Sequence, residues 1–309
     1  MTAHALRLGT RRSALALAQS GLVARSITEA TGRPVELVHI TTLGDVSTAA
    51  VTQIGSTGVF VNALRDALLD GSVDLAVHSL KDLPTAEPAG LALAAVPERE
   101  DVRDVLVARD RLKFADLPSG ARIGTGSLRR AAQLRLLRQD VEVVPVRGNV
   151  DTRVGFVTKG ELDAVVLAYA GLHRLGRIGE ATDYFDPAAM LPSPGQGALA
   201  VECREGDTEL IAELGLLDHG PTRAAVLAER ALLAALEAGC SAPVGGYATT
   251  SGSELQLTGT VIEAQSSAPV PRSIRMSATG PLDEAGRLGR ELAARMLDQG
   301  AAGLMGKQP

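Results

Sequence analysis

A short apolar stretch that ends in Gly-Thr and runs into a helical segment occurs twice in this chain of 309 residues. Residues 5–10 form the first stretch and residues 121–125 the second, and both contain the pattern Arg-x-Gly-Thr. A serine then opens a helical segment, which the sequence predicts over residues 13–30 and 127–139. Because strands that alternate with helices build parallel sheets covered on both faces, the repeat predicts two doubly wound α/β lobes.

A second repeated pattern supports this interpretation. Residues 71–77 and 160–166 both read Gly-x-x-Asp-x followed by two apolar residues, so that a helix-ending glycine precedes a buried strand. Both repeats are short, so the sequence alone leaves open whether the two lobes are related or similar by chance.

Two crossovers interrupt the pattern, at residues 96–103 and 191–195. A strand over residues 198–203 and the helix after it follow the second crossover, and we expect them to rejoin the first lobe. Beyond residue 220, a long Ala/Leu helix, alternating stretches and a final helix over residues 282–297 predict a small α+β domain. The predicted domains are residues 1–98 with 196–217, residues 99–195, and residues 218–309.

The charge balance and the aromatic content argue against several classes of protein. The chain carries 31 Lys+Arg against 36 Asp+Glu, a net charge of −5, whereas nucleic-acid binding depends on an excess of basic residues at the phosphates. Three Tyr, four Phe and no Trp offer few stacking faces for single strands. The longest apolar run, residues 164–172, falls short of the roughly 20 residues of a membrane helix. We therefore expect neither a nucleic-acid nor a membrane partner.

The cysteines, the histidines and the first residues indicate the compartment and the absence of a metal. Two cysteines cannot form a disulfide framework, and five scattered histidines have no metal-ligand spacing, so no metal site is predicted. Arg11 and Arg12 precede an apolar stretch that faintly resembles a twin-arginine export signal, but the stretch is too short for one. The sequence therefore predicts a cytoplasmic protein.

Basic side chains follow the predicted strands at their carboxyl ends, where ligands bind to parallel α/β sheets. These residues are Arg11, Arg12, Lys81, Arg129, Arg130, Arg147, Arg153 and Arg174. Their shared position in a net-acidic chain predicts a polyanionic ligand held through carboxylates or phosphates. For any single arginine, an ordinary solvated surface position fits the sequence equally well.

Three further features leave alternatives open. Asp82 is a single carboxylate among these cations, and it is either a structural counter-charge or the acid–base group of a reaction. Cys240, in a glycine-rich loop, is either a reactive or a buried thiol, whereas Cys203, in an apolar strand, should pack as a small hydrophobe. The loop of residues 124–127 lacks a complete phosphate motif, because Arg129 replaces the third glycine of the dinucleotide pattern.

Six stretches of the chain, in order, resemble the porphobilinogen deaminase family, also called hydroxymethylbilane synthases. They are residues 7–16 (RLGTRRSALA), 76–84 (AVHSLKDLP), 123–130 (IGTGSLRR), 146–150 (VRGNV), 194–197 (PGQG) and 239–245 (GCSAPVG). The resemblance covers nearly the whole chain, and several motifs in one order are highly specific. It implies three domains, two of them similar to the lobes of periplasmic binding proteins, with the active site in the cleft between these two.

The resemblance also implies an activity. Members of the family join four porphobilinogen molecules head to tail, release ammonia at each step and free linear hydroxymethylbilane for tetrapyrrole and heme biosynthesis. A dipyrromethane cofactor, itself made from two porphobilinogens, primes the reaction through a thioether to a loop cysteine that matches Cys240. The family's catalytic aspartate matches Asp82. Each pyrrole ring brings an acetate and a propionate, which a set of arginines suits.

Further contacts follow residue by residue from the same resemblance. Contacts to the cofactor match Ser79, Lys81, Thr125, Ser127, Arg129, Arg130, Arg147 and Gly148, and contacts to the substrate match Arg11, Ser13, Phe60, Arg153, Arg174 and Gln196. Three positions depart from the family's pattern: Thr57 and His173 stand where lysine is frequent, and Gly126 stands where serine is common. The family's basic contact at residue 57 and one hydroxyl contact are therefore not expected here.

A protein of another class is the alternative: a two-lobed, non-enzymatic binding protein for a small polyanion. It would explain the arginines but neither the loop cysteine nor Asp82. A nucleotide-dependent regulator fits less well, since no phosphate motif is complete. We further expect a monomer whose product passes to the next enzyme of the tetrapyrrole pathway.

Overall fold

The computed structural model describes residues 4–40, 56–238, 242–263 and 270–305, without the side chains of residues 56–60. The chain divides into two compact units. Unit 1 comprises Met1–Arg99 and Ala198–Arg223, and unit 2 comprises Glu100–Gly197 and Ala224–Pro309. The first two passages from one unit to the other fall at or next to the predicted crossovers.

Unit 1 contains a five-stranded sheet with the order β2-β1-β3-β10-β4. Its strands are β1 (Leu6–Thr10), β2 (Val35–His39), β3 (Leu75–Ser79), β4 (Leu91–Ala95) and β10 (Leu199–Arg204). Its helices are α1 (Ala14–Thr31), α2 (Ser56–Leu69), α6 (Thr208–Leu214) and the start of α7 (Gly220–Ala235). Leu75 and Val77 of β3 pack on the side of α1 and α6, whereas Ala76 packs with α2 on the other side. Helices therefore cover both faces, as the sequence predicts.

Unit 2 contains a second five-stranded sheet, with the order β7-β6-β8-β5-β9. Its strands are β5 (Asp104–Ala108), β6 (Arg122–Thr125), β7 (Glu142–Pro145), β8 (Ala164–Ala168) and β9 (Asp183–Tyr184). Its helices are α3 (Leu128–Leu137), α4 (Val150–Thr158) and α5 (Tyr169–Arg174). Ser127 caps α3 at the position where the sequence predicts the helix to open, because its side chain accepts the N–H of Arg130.

The two sheets repeat one arrangement of strands. Position by position, β2, β1, β3, β10 and β4 correspond to β7, β6, β8, β5 and β9. The repeated aspartate makes the same contact in each sheet: Asp74 Oδ2 accepts the backbone N–H of Arg7, and Asp163 Oδ2 accepts that of Arg122, both at 2.8 Å. The structure thus confirms the repeat read from the sequence.

One strand in each sheet runs antiparallel, so the prediction of parallel sheets is wrong for these two strands. β10 pairs antiparallel with β3 and β4, and β5 pairs antiparallel with β8 and β9. Each is the first strand after the chain passes from the other unit, and no helix lies between that passage and the strand. Because parallel pairing depends on a crossover helix that returns the chain, these strands enter in the opposite direction.

The C-terminal part of unit 2 is a three-stranded antiparallel sheet covered by helices. Its elements are β11 (Val244–Ser251), β12 (Glu254–Ile262), β13 (Ser273–Pro281), α8 (Ala285–Asp298) and α9 (Ala301–Leu304). Leu255 and Leu257 of β12 form a core with Leu232 of α7 and with Leu292 and Met296 of α8. The predicted small α+β arrangement is confirmed. A separate third domain over residues 218–309 stays a prediction, since most of this segment clusters with Glu100–Gly197.

Among the described residues, no helix is long and apolar enough to cross a membrane. Within the same residues, no three His, Cys, Asp or Glu side chains lie so that they could hold a metal ion together.

Candidate active site

Unit 1 contains a pocket of about 280 Å³ beside the carboxyl ends of β1 and β3. Its polar lining residues are Arg11, Ser13, Gln19, His78, Ser79 and Asp82, and its apolar ones are Leu15, Ala16, Val61, Leu64 and Val77. The structure therefore brings together four of the predicted site residues, namely Arg11, Ser13, Ser79 and Asp82. The lining combines a cation, a carboxylate, hydroxyl groups and an apolar wall, which suits a small ring compound that carries acidic groups.

The start of α1 forms one side of this pocket. Ser13 caps the helix, its hydroxyl accepting the backbone N–H of Ala16 at 3.3 Å, so Arg11 lies in the turn just before a fixed helix N-terminus. One turn further along α1, Gln19 Nε2 donates a hydrogen bond to Ser79 Oγ at 2.8 Å. This bond joins α1 to the end of β3, and both residues line the pocket.

The turn that follows β3 forms the other side. Leu80–Asp82 is a single 3₁₀ turn, and the N–H of Leu80 donates to the carbonyl oxygen of Ala198 at 3.0 Å. Asp82 is exposed and Lys81 is half-buried. The backbone bond to Ala198, just before β10, fixes the turn that carries Asp82.

A buried ion-pair network lies behind the pocket wall, and the sequence analysis missed it. Glu202 accepts hydrogen bonds from Nε and Nη2 of Arg65 at 3.0 and 2.7 Å. His78 Nε2 lies 3.2 Å from Glu202 Oε2, in a close electrostatic contact rather than an aligned hydrogen bond. Burial alone would raise the pKa of Glu202, but His78 and Arg65 outweigh it and lower the pKa to about 2. An acidic residue inside the otherwise apolar strand of residues 198–203 was the available signal.

In unit 2, the loop after β6 carries the two predicted hydroxyl contacts. Thr125 is buried, and its Oγ1 accepts the N–H of Ser127 at 3.2 Å. A Cβ atom built on Gly126 would lie only 2.5 Å from the carbonyl oxygen of Val146. The departure from the family's serine at residue 126 therefore has a steric reason in this chain.

The loop after β7 carries Arg147, Gly148 and, at the start of α4, Arg153. Arg147 is exposed, and Arg153 Nε donates to the carbonyl oxygen of Gly148 at 2.9 Å. Gly148 has a φ of +109°, and a Cβ there would meet the side chain of Thr152 at 2.7 Å. Asn149 caps α4 by accepting the N–H of Thr152 at 2.9 Å. Glycine is thus required at residue 148, and the side chain of Arg153 bonds back to the backbone of the residue that follows Arg147.

Arg129 and Arg130 are buried side chains that share one carboxylate. Asp104, which is fully buried, accepts hydrogen bonds from Arg129 Nη2 at 2.7 Å and from Arg130 Nε and Nη2 at 3.0 and 2.8 Å. Gln196 Nε2 donates to the same carboxylate at 2.8 Å, and Arg129 Nη1 donates to the carbonyl oxygen of Leu191 at 2.7 Å. The hydrogen bonds described here all lie within unit 2, and none of them tests a ligand contact. The cofactor contacts of Arg129 and Arg130 and the substrate contact of Gln196 therefore stay predictions.

The electrostatics of this cluster follow from its burial. Burial alone would raise the pKa of Asp104, but the charges of Arg129 and Arg130 reverse the effect and hold it well below its ordinary value. Burial lowers the pKa of Arg129, and the neighbouring Arg130 adds to this, although Asp104 opposes both. The charged states of Asp104, Arg129 and Arg130 therefore depend on one another inside unit 2.

We expect Arg130→Leu to lower the free energy of unfolding by about 3–5 kcal/mol, because it leaves the buried Asp104 carboxylate with half its charge compensation. Chemical denaturation followed by circular dichroism measures this change. Arg147→Leu is the matched control, since Arg147 is exposed and its loss should change stability by less than about 0.5 kcal/mol. Equal stability of the two variants would contradict a structural role for the buried cluster.

Arg174 and His173, at the end of α5, both contact residues at the boundary of unit 2. Arg174 Nη2 donates to the carbonyl oxygen of Gly197 at 2.6 Å, and burial lowers the pKa of Arg174 against the opposing charge of Glu100. His173 Nδ1 lies 2.7 Å from the carboxylate of Glu100. The substrate contact of Arg174 stays a prediction.

Some predicted residues lie outside what the structure describes. Cys240 lies outside the described residues. Phe60 and Thr57 belong to α2, but their side chains are likewise outside the description. Cys203 is described: it is fully buried in the core of unit 1, and burial is the main cause that raises the pKa of its thiol to about 11. This confirms that Cys203 packs as a small hydrophobe.

Two five-stranded sheets of one design and a small α+β part define a two-lobed α/β protein. The pocket in unit 1 places an arginine and an aspartate beside the strand ends. The family model described as "Porphobilinogen deaminase, dipyromethane cofactor binding domain" matches residues 6–212, and "Porphobilinogen deaminase, C-terminal domain" matches residues 223–298. Porphobilinogen deaminase 1 of Streptomyces coelicolor is 60% identical over 100% of this chain and 99% of its own length. Porphobilinogen deaminase of Thermobifida fusca is 57% identical over 97% of this chain and 96% of its own length. The chain belongs to the porphobilinogen deaminase family.

Comparison with solved structures gives weaker similarities. The VFT2 domain of BvgS from Bordetella pertussis covers 68% of this chain and 85% of its own, with 19% identity and a TM-score of 0.41. An arginine-specific periplasmic binding protein from Salmonella typhimurium covers 70% and 92%, with 15% identity and a TM-score of 0.41. The lobe topology is established by the strand order of the two sheets, independently of these similarities.

Proposed function

We propose that this chain joins four porphobilinogen molecules head to tail, releasing one ammonia for each, in tetrapyrrole biosynthesis. Hydrolysis then frees the product, so that water supplies the hydroxyl group of hydroxymethylbilane. The observation that carries the proposal is the unit 1 pocket, in which Asp82 lies with Arg11 and Ser13. The relatives from S. coelicolor and T. fusca, both called porphobilinogen deaminases, support it over the full length. Porphobilinogen is the substrate that membership of the family implies.

Arg11 and Ser13 would bind the acidic side of the substrate. Porphobilinogen carries an acetate and a propionate, and a guanidinium group forms charge-assisted hydrogen bonds with either one. The hydroxyl of Ser13 is tied to the backbone of α1, so this side of the pocket is preorganised before a ligand arrives. A pocket of about 280 Å³ has room for a small ring compound.

Asp82 would stabilise the positive charge that the reaction creates. Loss of ammonia from the protonated aminomethyl group of porphobilinogen leaves a cationic pyrrole. Its methylene carbon forms a bond with the α-carbon of the neighbouring ring, which carries the positive charge until its α-proton is lost to solvent. A carboxylate fixed beside the pyrrole nitrogens lowers the energy of each cation without reorganising. The turn Leu80–Asp82 is bonded to the residue before β10, which supports this role because it holds the carboxylate in place.

The chemistry of the described residues fits a dipyrromethane. This cofactor bears four carboxylates, and the loops after β6 and β7 offer the hydroxyl of Ser127 and the cations of Arg147 and Arg153. Cys240 would attach the group, which supplies a ring carbon to which the first substrate is joined. The remaining proposed contacts are Ser79, Lys81, Thr125, Arg129, Arg130 and Gly148 to the cofactor, and Phe60, Arg174 and Gln196 to the substrate.

Incubation of the purified protein with porphobilinogen tests the proposal. We expect consumption of porphobilinogen with one ammonia released per molecule, and hydroxymethylbilane as the product. Saturable binding of porphobilinogen without any release of ammonia would instead support the non-enzymatic polyanion-binding protein.

We also propose that the protein works as a monomer in the cytoplasm and passes its product to the next enzyme of tetrapyrrole synthesis. The proposed product supports the last point, because an open chain of four pyrroles needs a further reaction to become a ring. Sedimentation at micromolar concentration tests the monomer: a mass near 32 kDa is expected for the chain before any attached group is added.

A further inference from the structure

Arg65, Glu202 and His78 form the buried network whose histidine lines the unit 1 pocket. The Arg65–Glu202 pair is two-pronged, and the two side chains are 12% and 3% exposed. His78 is 5% exposed in its side chain; it contacts the Glu202 carboxylate at 3.2 Å and also lines the pocket. The network therefore reaches from the interior of the unit to the wall of the site.

The strand register explains why these residues meet. His78 pairs with Ala200 in the antiparallel ladder of β3 and β10, and Glu202 lies two residues further along β10. Side chains two apart in a strand share a face, so His78 and Glu202 lie diagonally on one face of the sheet. Arg65 belongs to α2, whose apolar residues pack against that same face.

A network of buried ionised side chains is unusual in the core of a protein. Ionic groups lose their hydration on burial, and apolar residues of similar size commonly give equal or greater stability. A buried ion pair that does not increase stability can still specify one conformation. The segment that contains His78 is the end of β3, whose last residue Ser79 is followed directly by the turn Leu80–Asp82.

We propose that Arg65 and Glu202 are positioning residues for Asp82, acting through His78. Arg65 orients the Glu202 carboxylate, the carboxylate fixes the His78 ring against the pocket wall, and the fixed ring holds the end of β3 and its turn in one conformation. This inference rests on the proposed function, because it assigns a purpose to the position of Asp82. It makes none of the three residues a catalytic residue.

The test compares two double variants that remove both charges. In Arg65→Met/Glu202→Leu, the pair becomes apolar and no acceptor faces His78. In Arg65→Met/Glu202→Gln, an amide oxygen replaces the carboxylate oxygen that lies 3.2 Å from His78 Nε2. We expect kcat of the Leu variant to fall by about tenfold or more while KM changes by less than about twofold, because loss of residues that support a site commonly has effects of this size. The Gln variant should recover most of the lost kcat.

A cycle with His78→Leu tests whether the pair acts through the histidine. We expect His78→Leu alone to lower kcat about as much as the Leu double variant does, and the triple variant to be no slower than either. Losses in kcat that multiply would overturn the route through His78. Glu202→Asp keeps a carboxylate that can pair with Arg65, so the fold should persist. The shorter side chain withdraws the carboxylate from His78, so kcat should fall severalfold. Wild-type kcat in this variant would overturn the proposal.

A control is the pair Arg33–Glu213, which joins the loop between α1 and β2 to α6 at 2.7 Å and lies outside the pocket lining. Arg33→Met/Glu213→Leu should keep wild-type kcat and KM. All rates are normalised to the folded, cofactor-loaded fraction, obtained from thermal unfolding and intact mass. A loss of kcat in the Leu variant that vanishes on this normalisation would overturn the proposal. Failure of the wild-type protein to release ammonia would instead overturn the proposed function.

Discussion

Cys240→Ser protein is expected to purify without the added mass of two pyrrole rings and to be inactive with porphobilinogen. The reason is that a thioether requires a nucleophilic sulfur, and a serine hydroxyl at neutral pH cannot replace it. Intact mass spectrometry under denaturing conditions measures the effect, because a covalent group survives unfolding. We expect activity to fall to background, the largest change predicted for this chain.

The control for this experiment is the second cysteine. Cys203→Ala should keep both the added mass and the activity, because Cys203 is fully buried and the pKa of its thiol is raised to about 11. A small loss of stability from the missing sulfur is the only expected change. An active wild-type protein of unmodified mass would refute covalent priming, and an added mass that persists in Cys240→Ser would refute the assignment to Cys240.

Asp82→Asn should lower kcat by about a hundredfold to ten-thousandfold, the range that removal of a preorganised charged group commonly produces. The change keeps the shape of the side chain and removes the charge that would stabilise each cationic pyrrole. Folding should persist, because Asp82 is exposed and the backbone of its turn is held by the bond between Leu80 and Ala198. Steady-state release of ammonia and thermal unfolding measure the two effects.

Asp82→Glu separates the charge from its position. It retains the carboxylate but displaces it by one methylene group, so slow turnover is expected, faster than in Asp82→Asn. Wild-type activity in Asp82→Asn would remove Asp82 from the mechanism, whereas equal inactivity of both variants would show that position matters as much as charge.

The repeated elements were predictable because their signals are local. Arg-x-Gly-Thr followed by a capping serine specifies a strand, a turn and a helix within about 20 residues, and the structure has Ser13 and Ser127 at the two caps. The same local patterns also indicate at which residue each strand ends. For that reason Arg11 and Asp82 could be expected at strand ends of one sheet before any pairing of strands was known. Ser13 and Ser79 were predicted as site residues only from the resemblance to the family.

The charged networks were not predictable because they depend on partners far apart in the chain. Arg129 and Arg130 read as basic residues after a strand, yet Asp104 lies 25 and 26 positions away and enters their sheet antiparallel. Glu202 is likewise 137 positions from Arg65. Sequence periodicity shows that a residue lies on a strand, but it does not show which other strand supplies its neighbour.

The strand order of unit 1 has a consequence for the timing of folding during synthesis. β4 ends at Ala95 and its hydrogen-bonded neighbour β10 begins at Leu199, whereas the five-stranded sheet of unit 2 runs uninterrupted from Asp104 to Tyr184. A chain that emerges from the ribosome N-terminus first therefore has every strand of the later sheet available before the earlier sheet can close. Until β10 emerges, β3 and β4 have no strand between them, and Asp82, Ser79 and His78 have no β10 to hold them. The five-stranded sheet of unit 1 is therefore begun before the five-stranded sheet of unit 2 and can be completed only after it.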